Sequence, residues 1–174
     1  MKPPFSSIRV ANWFIDKSLE SGVELTPMKL QKLVYIAHGW HLGLFESPLV
    51  DEDIQAWKYG PVIPSIYHEA KKYGSRQISQ RLLEVSALGI NRPTLTNAND
   101  DDALSISLLQ IIWDRYGHLD GIALSNLTHK ADTPWSKTWG NMQKEGLHRS
   151  RISNSDIQKH YAGKVASLGN ETVN

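Results

Sequence analysis

His38 and His41 stand three apart in TPMKLQKLVYIAHGWHLG, a spacing that puts both imidazoles on one side of a helix. Two imidazoles on one face are the start of a metal site, and His68-Glu69 and His129 would supply further ligands if the fold gathered them. Zinc takes three or four ligands, however, and His38-Gly-Trp-His41 has neither the i, i+4 spacing nor the glutamate of a metalloprotease helix. The expectation is a structural role and no metal. Ser125 and Ser136 have histidines and aspartates nearby in the chain, but neither sits on a G-x-S-x-G elbow, and a triad is defined by geometry. Asp100, Asp101 and Asp102 lack the alternating ligands and the glycine of an EF-hand loop, and read as a solvated cap for the helix after them. G-x-G-x-x-G and P-loop motifs are absent. We therefore expect no catalytic residue and no cofactor.

Recognition chemistry is better represented. Lys29 and Lys32 fall in the first two turns of a helix starting at Thr26, where the positive end of the macrodipole disfavours an exposed cation by up to ~1 kcal/mol. An acidic partner surface, a phosphate, or Glu20 or Glu24 would compensate them. Trp57, Lys58 and Tyr59 sit together on a short arm before Gly60-Pro61, and most of the other tryptophans (Trp13, Trp40, Trp113, Trp135, Trp139) are expected in the core. Charge beside aromatic anchors is what an interface hot spot needs, so Lys29, Lys32, Trp57, Lys58 and Tyr59 are the candidate partner-binding residues, with the lysines expected on the surface.

These residues need elements to carry them. Ile8, Ala11, Ile15 and Leu19 predict a first helix, capped by Ser6 or Ser7 and ended by Gly22. Thr26-Pro27 opens the second, with an apolar stripe of Leu30, Leu33, Val34, Ala37, Trp40 or His41, and Leu44. Residues 53–59 alternate, Ile54 and Ala56 against Gln55, Trp57 and Tyr59, which predicts a strand or hairpin arm turned by Gly60-Pro61. Pro64 starts a short helix that closes at Tyr73-Gly74. Residues 75–103 read as a basic segment followed by a turn-rich loop. Leu104, Leu108, Ile111, Ile112 and Tyr116 predict another helix stripe, shorter helices follow over 120–129 and 134–143, and Ser153 with Asp156 resembles a capping box for a last helix bearing Ile157, Tyr161, Val165 and Leu168.

The 174 residues carry 40% hydrophobic side chains, which excludes whole-chain disorder and fits a single domain spanning 1–174. A net charge of +1 builds no general cationic field. The absence of cysteine removes disulfide, thiolate and iron-sulfur chemistry. The start does not read as a signal peptide, and the apolar stretch from Leu30 to Phe45 is broken by Gln31, Lys32, His38 and His41, so a cytoplasmic, soluble protein is expected. The fold class that follows is mainly α, a compact helical domain with a small β-hairpin or short strand element.

Three segments taken together, TPMKLQKLVYIAHGW at 26–40, QAWKYGPVIPSIY at 55–67 and LSNLTHKADTPW at 124–135, resemble the Panacea domain. This is the SocA-like antitoxin family, which includes GepA-type phage-associated proteins. The motif positions are Leu30, Gln31, Lys32, Leu33 and Tyr35, then Trp57, Tyr59, Gly60, Pro61 and Val62, then Leu127, Thr128, His129, Pro134 and Trp135. Their residue types read as architecture: core leucines, turn and helix-start residues, and Thr128 and His129 satisfying backbone groups at a helix end. The resemblance implies a non-enzymatic antitoxin of a toxin-antitoxin or phage-associated module, encoded beside its toxin and neutralising it by protein contact. It also implies, as an alternative, an adaptor that delivers the toxin to a ClpXP-type protease. A reading of another class, a nucleic-acid-binding regulator, would rest on the helices over 105–129 and on Lys71, Lys72, Arg76 and Arg81.

Overall fold

The structure, a computed structural model, describes residues 2–87, 89–96, 102–147 and 150–171. Its elements run α1 (Ser7–Ser21), α2 (Pro27–Phe45), β1 (Ile54–Trp57), β2 (Gly60–Val62), α3 (Pro64–Ala70) with a 3-10 turn over Lys71–Tyr73, β3 (Glu84–Ser86), β4 (Gly89–Asn91), α4 (Ala103–Tyr116), α5 (Gly121–His129), α6 (Pro134–Glu145), β5 (Ser150–Ile152) and α7 (Asn154–Glu171). The architecture is mainly α with small β elements, as the sequence predicts. No described helix is long and apolar enough to cross a membrane.

Local chemistry sets the boundaries. Ser6 Oγ accepts the Arg9 N–H to start α1, and Gly22, at φ +71°, donates its N–H to Ser18 O to end it. Thr26 caps α2 with Pro27 in its first turn, and Thr133 and Pro134 repeat the device in α6. Ser153 Oγ accepts the Asp156 N–H at the start of α7.

Helix α2 is the axis of the molecule. It packs against α1, α3, α4, α5, α7 and β2, so it is buried nearly all round rather than along one stripe. Besides Leu30, Leu33, Val34 and Ala37 it buries Lys29, Gln31, Lys32, Tyr35, Ile36, His38 and His41, while Leu44, near its free end, is exposed. Gly39 and Gly43 form a notch for α7. A Cβ on Gly39 would meet the Tyr161 ring at 2.1 Å, and one on Gly43 would meet the Tyr161 backbone at 2.8 Å. No larger residue permits that approach.

The helix stripe expected in α4 is rotated by about one residue. Ser105, Leu108, Leu109, Ile112 and Trp113 are buried, whereas Leu104 and Ile111 face solvent. Ser105 is drawn inward because its hydroxyl bonds His41 Nε2 at 3.1 Å. In the hairpin, Trp57 pairs with Gly60, so Lys58 and Tyr59 are the turn residues and Gly60-Pro61 already belongs to β2. Strand β5, not visible in the sequence, pairs with the other edge of β1, giving the sheet order β2-β1-β5. The turn-rich 75–103 segment contains a second unforeseen hairpin, β3 paired with β4. In α7, Ile157 and Tyr161 are buried, but Leu168 is exposed.

Candidate partner-binding site

Three distant stretches of chain meet at the β1–β2 hairpin, and they meet through its carbonyls. Trp135 Nε1 donates to Trp57 O at 2.9 Å, Ser125 Oγ to Tyr59 O at 3.2 Å, and Lys32 Nζ to Pro61 O at 3.0 Å. The His129 ring lies between two carbonyls, with Nδ1 2.6 Å from Ser125 O and Nε2 3.4 Å from Lys58 O. Gln31 pairs with Ile63 in both directions, donating to its carbonyl at 3.1 Å and accepting its N–H at 2.9 Å. A two-residue turn between short strands would otherwise depend on few ladder bonds. Side chains from α2, α5 and α6 hold it in place instead.

This explains the residue types at the polar positions noted above. Thr128 Oγ1 returns its bond to Ser125 O at 2.8 Å, and Thr133 Oγ1 donates to Thr128 O at 2.8 Å, which joins α5 to α6. Trp135 packs its ring 3.8 Å from that of His129 and stacks on Trp139 at 5.6 Å. Leu127, expected in the core, is only half-buried; Leu124, one turn earlier, fills that place. Gly60, at φ +103°, is doubly constrained: a Cβ there would lie 2.6 Å from Lys32 Nζ and 3.0 Å from Thr128 Oγ1.

The two lysines of α2 are not on the surface. Lys32 is 1% exposed, and burial holds its amine down to about 7. Lys29 is buried as well, donating to Glu24 O at 2.7 Å, with its Nζ 5.8 Å from the Trp113 ring centre; burial lowers its pKa against the pull of Glu24 and Asp120. Sequence polarity placed both outside. Tertiary packing around α2 brings both in.

Beside the hairpin lies a groove of about 490 Å³ between α2, the hairpin and α3, with Met28, Lys32, Trp57, Tyr59, Val62 and Tyr67 among its walls. The Trp57 and Tyr67 rings meet edge to face at 4.7 Å, while Lys58 Nζ sits 5.4 Å from the Tyr59 ring. Tyr59 is 64% exposed at the rim. Lys32, Trp57, Lys58 and Tyr59 thus share one groove, and Lys29 stands apart from it. Tyr67, which the sequence reading did not single out, completes the aromatic wall; its presence in the same motif segment was the available signal.

The histidines go elsewhere. His38 accepts the Val50 N–H at Nδ1 (3.3 Å) and bonds Asn154 Oδ1 through Nε2 (3.0 Å), and burial lowers its pKa to about 4. His41 Nδ1 faces Ser47 O at 2.6 Å, and burial lowers this pKa too. Each links α2 to a different neighbour, and neither meets His68, which lines a separate pocket with Glu69, or His129. Among the described residues, no group of three or more His, Cys, Asp or Glu side chains is placed to hold a metal ion. Asp102 caps α4 through Ser105, while Asp100 and Asp101 lie outside the described residues. Ser136 Oγ donates to Thr133 O. In the basic stretch, Arg81 pairs with Asp16 at 2.6 Å and Lys72 with Glu69 at 4.0 Å, so part of its charge is spent within the chain.

A family model described as antitoxin SocA-like, Panacea domain, matches residues 30–136, a span that contains every motif position from Leu30 to Trp135. Antitoxin SocA of Caulobacter vibrioides (strain NA1000 / CB15N) is 29% identical over 126 residues, covering 72% of this chain. The match spans 66% of that relative's length, just under two thirds. No solved structure matches the chain.

Proposed function

The chain belongs to the SocA-like antitoxin family through its Panacea domain, and from that premise we propose that it neutralises a cognate protein toxin by binding it directly at the groove beside the β1–β2 hairpin. The observation that carries this reading is the hairpin's construction. Trp57, Lys58 and Tyr59 are presented by a hairpin whose Trp57, Tyr59 and Pro61 carbonyls are already bonded from α6, α5 and α2, so little ordering entropy is left to be lost on binding. Aromatic anchors on a pre-organised support, beside an apolar groove, are what a protein partner uses. The role is regulatory and needs no reaction at the groove.

Co-expression with the product of the adjacent gene tests the proposal. Growth should be restored and the two proteins should purify as one complex. Lys58→Glu with Tyr59→Ser, both on the exposed turn, should weaken that complex at least tenfold with unchanged thermal unfolding. Rescue with the toxin intact and no complex at any step would overturn the proposal. Rescue accompanied by disappearance of the toxin would replace neutralisation by delivery for degradation.

A further inference from the structure

The Lys32 ammonium is in an unusual position. Its nitrogen has three protons to donate, and among the described residues Pro61 O is the one acceptor it reaches. No described carboxylate lies within ion-pair distance of it, although nearly every other buried polar side chain here finds a partner. A lone ammonium taken from water is costly, and a methionine of similar length would fill the same space without that cost. The groove that Lys32 lines is apolar, and its charged residues are Lys32, Lys58 and Lys71, with no acidic side chain among them. Every element facing it agrees in sign or is neutral. The hairpin brings Lys58 and Tyr59, α3 brings Tyr67, the turn after α3 brings Lys71, and α5 brings His129 beside the hairpin. On α2 itself, Lys29 is occupied by Glu24 O. Glu69, the carboxylate on α3, lines a different pocket and accepts the Leu83 N–H.

Resting on the antitoxin reading for the identity of the partner, we infer that the groove is a receptor for a toxin segment that carries a carboxylate next to an apolar or aromatic side chain, the carboxylate pairing with Lys32 and the apolar group lying against Trp57, Tyr59 and Tyr67. The incoming carboxylate supplies the acceptor that the fold withholds, inside walls that exclude water and so strengthen the pair. A phosphate would meet the same charge but would waste the aromatic wall. Because burial holds free Lys32 down to about 7, carboxylate binding above that pH must take up a proton, and affinity must fall as pH rises.

Two small probes test the site without the toxin: indole-3-propionate and its uncharged amide, titrated by NMR with Lys32 observed through its 13Cε resonance. The acid should bind at least tenfold more tightly than the amide at pH 6. That preference should vanish at pH 9 and in Lys32→Met. Equal binding of acid and amide to the parent at pH 6, binding of neither, or tighter binding of inorganic phosphate than of the acid overturns the inference, and none of these readings depends on how the variants fold. With the adjacent gene's product, parental affinity should drop about tenfold per pH unit above ~7, as one proton is taken up, and Lys32→Met should be flat. A complex that forms equally well with Lys32→Met sinks the carboxylate site and leaves the antitoxin reading standing. Probes that behave as expected with no complex at all do the reverse.

Discussion

The two hairpins of this protein are built on opposite plans. β1–β2 has its Trp57, Tyr59 and Pro61 carbonyls bonded by Trp135, Ser125 and Lys32, its inner face buried, and the outer edge of β1 covered by β5. β3–β4 is tied at its base. There Asn12 bonds Leu82 in both directions and accepts nothing from the strands, its amide also reaching Pro93 O, and Arg81 pairs with Asp16 while Ser6 bonds Glu84. Beyond the base, Val85 is 78% exposed and Ile90 69%. Both hairpins fall inside the matched span, yet the motif positions cluster on the first and leave the second bare. The difference teaches that the polar motif is a set of donors for one turn. The second hairpin carries none of those positions and exposes Val85 and Ile90, side chains at which substitution disturbs little.

The comparison breaks most readily at Gly60. Gly60→Ala puts a side chain at φ +103° and against Lys32 and Thr128, and should cost about 1–3 kcal/mol in urea unfolding. A neutral result would mean the first hairpin tolerates movement as well as the second does. Trp135→Phe keeps an aromatic ring but removes the donor to Trp57 O, with an expected loss of about 0.5–1.5 kcal/mol. The decisive companion is amide exchange at Trp57 to Val62, which should speed up in this variant and stay unchanged at residues 84–91. The smallest effect is expected on the second hairpin, where Val85→Ser with Ile90→Ser should shift stability by no more than about 0.5 kcal/mol. If that pair nevertheless weakens toxin binding, the bare hairpin is a second contact surface; if it unfolds the protein, the contrast between the hairpins is false.

Helix starts were legible because their signals are local: Ser6, Thr26, Thr133 and Ser153 cap as their sequence context demands. The sites were less so. Lys32 and Lys29 read as surface residues since a sequence shows a side chain's polarity but not how many elements surround its helix. Gln31, Ser125, His129 and Trp135 each act on a carbonyl tens of residues away or across a helix turn, and no spacing rule encodes that. The α4 stripe slipped by one residue because Ser105, a polar residue, was claimed by His41, and β5 is too short to show a period of two.

The notch made by Gly39 and Gly43 has a consequence for synthesis. The ring that fills it belongs to Tyr161, and the acceptor for His38 belongs to Asn154, 116 residues further along the chain. At ribosomal speeds of about 5–20 residues per second, roughly 6–25 s pass between the emergence of the axial helix and that of its last cover. Throughout that interval the newborn chain offers an unsealed apolar seam to chaperones and proteases.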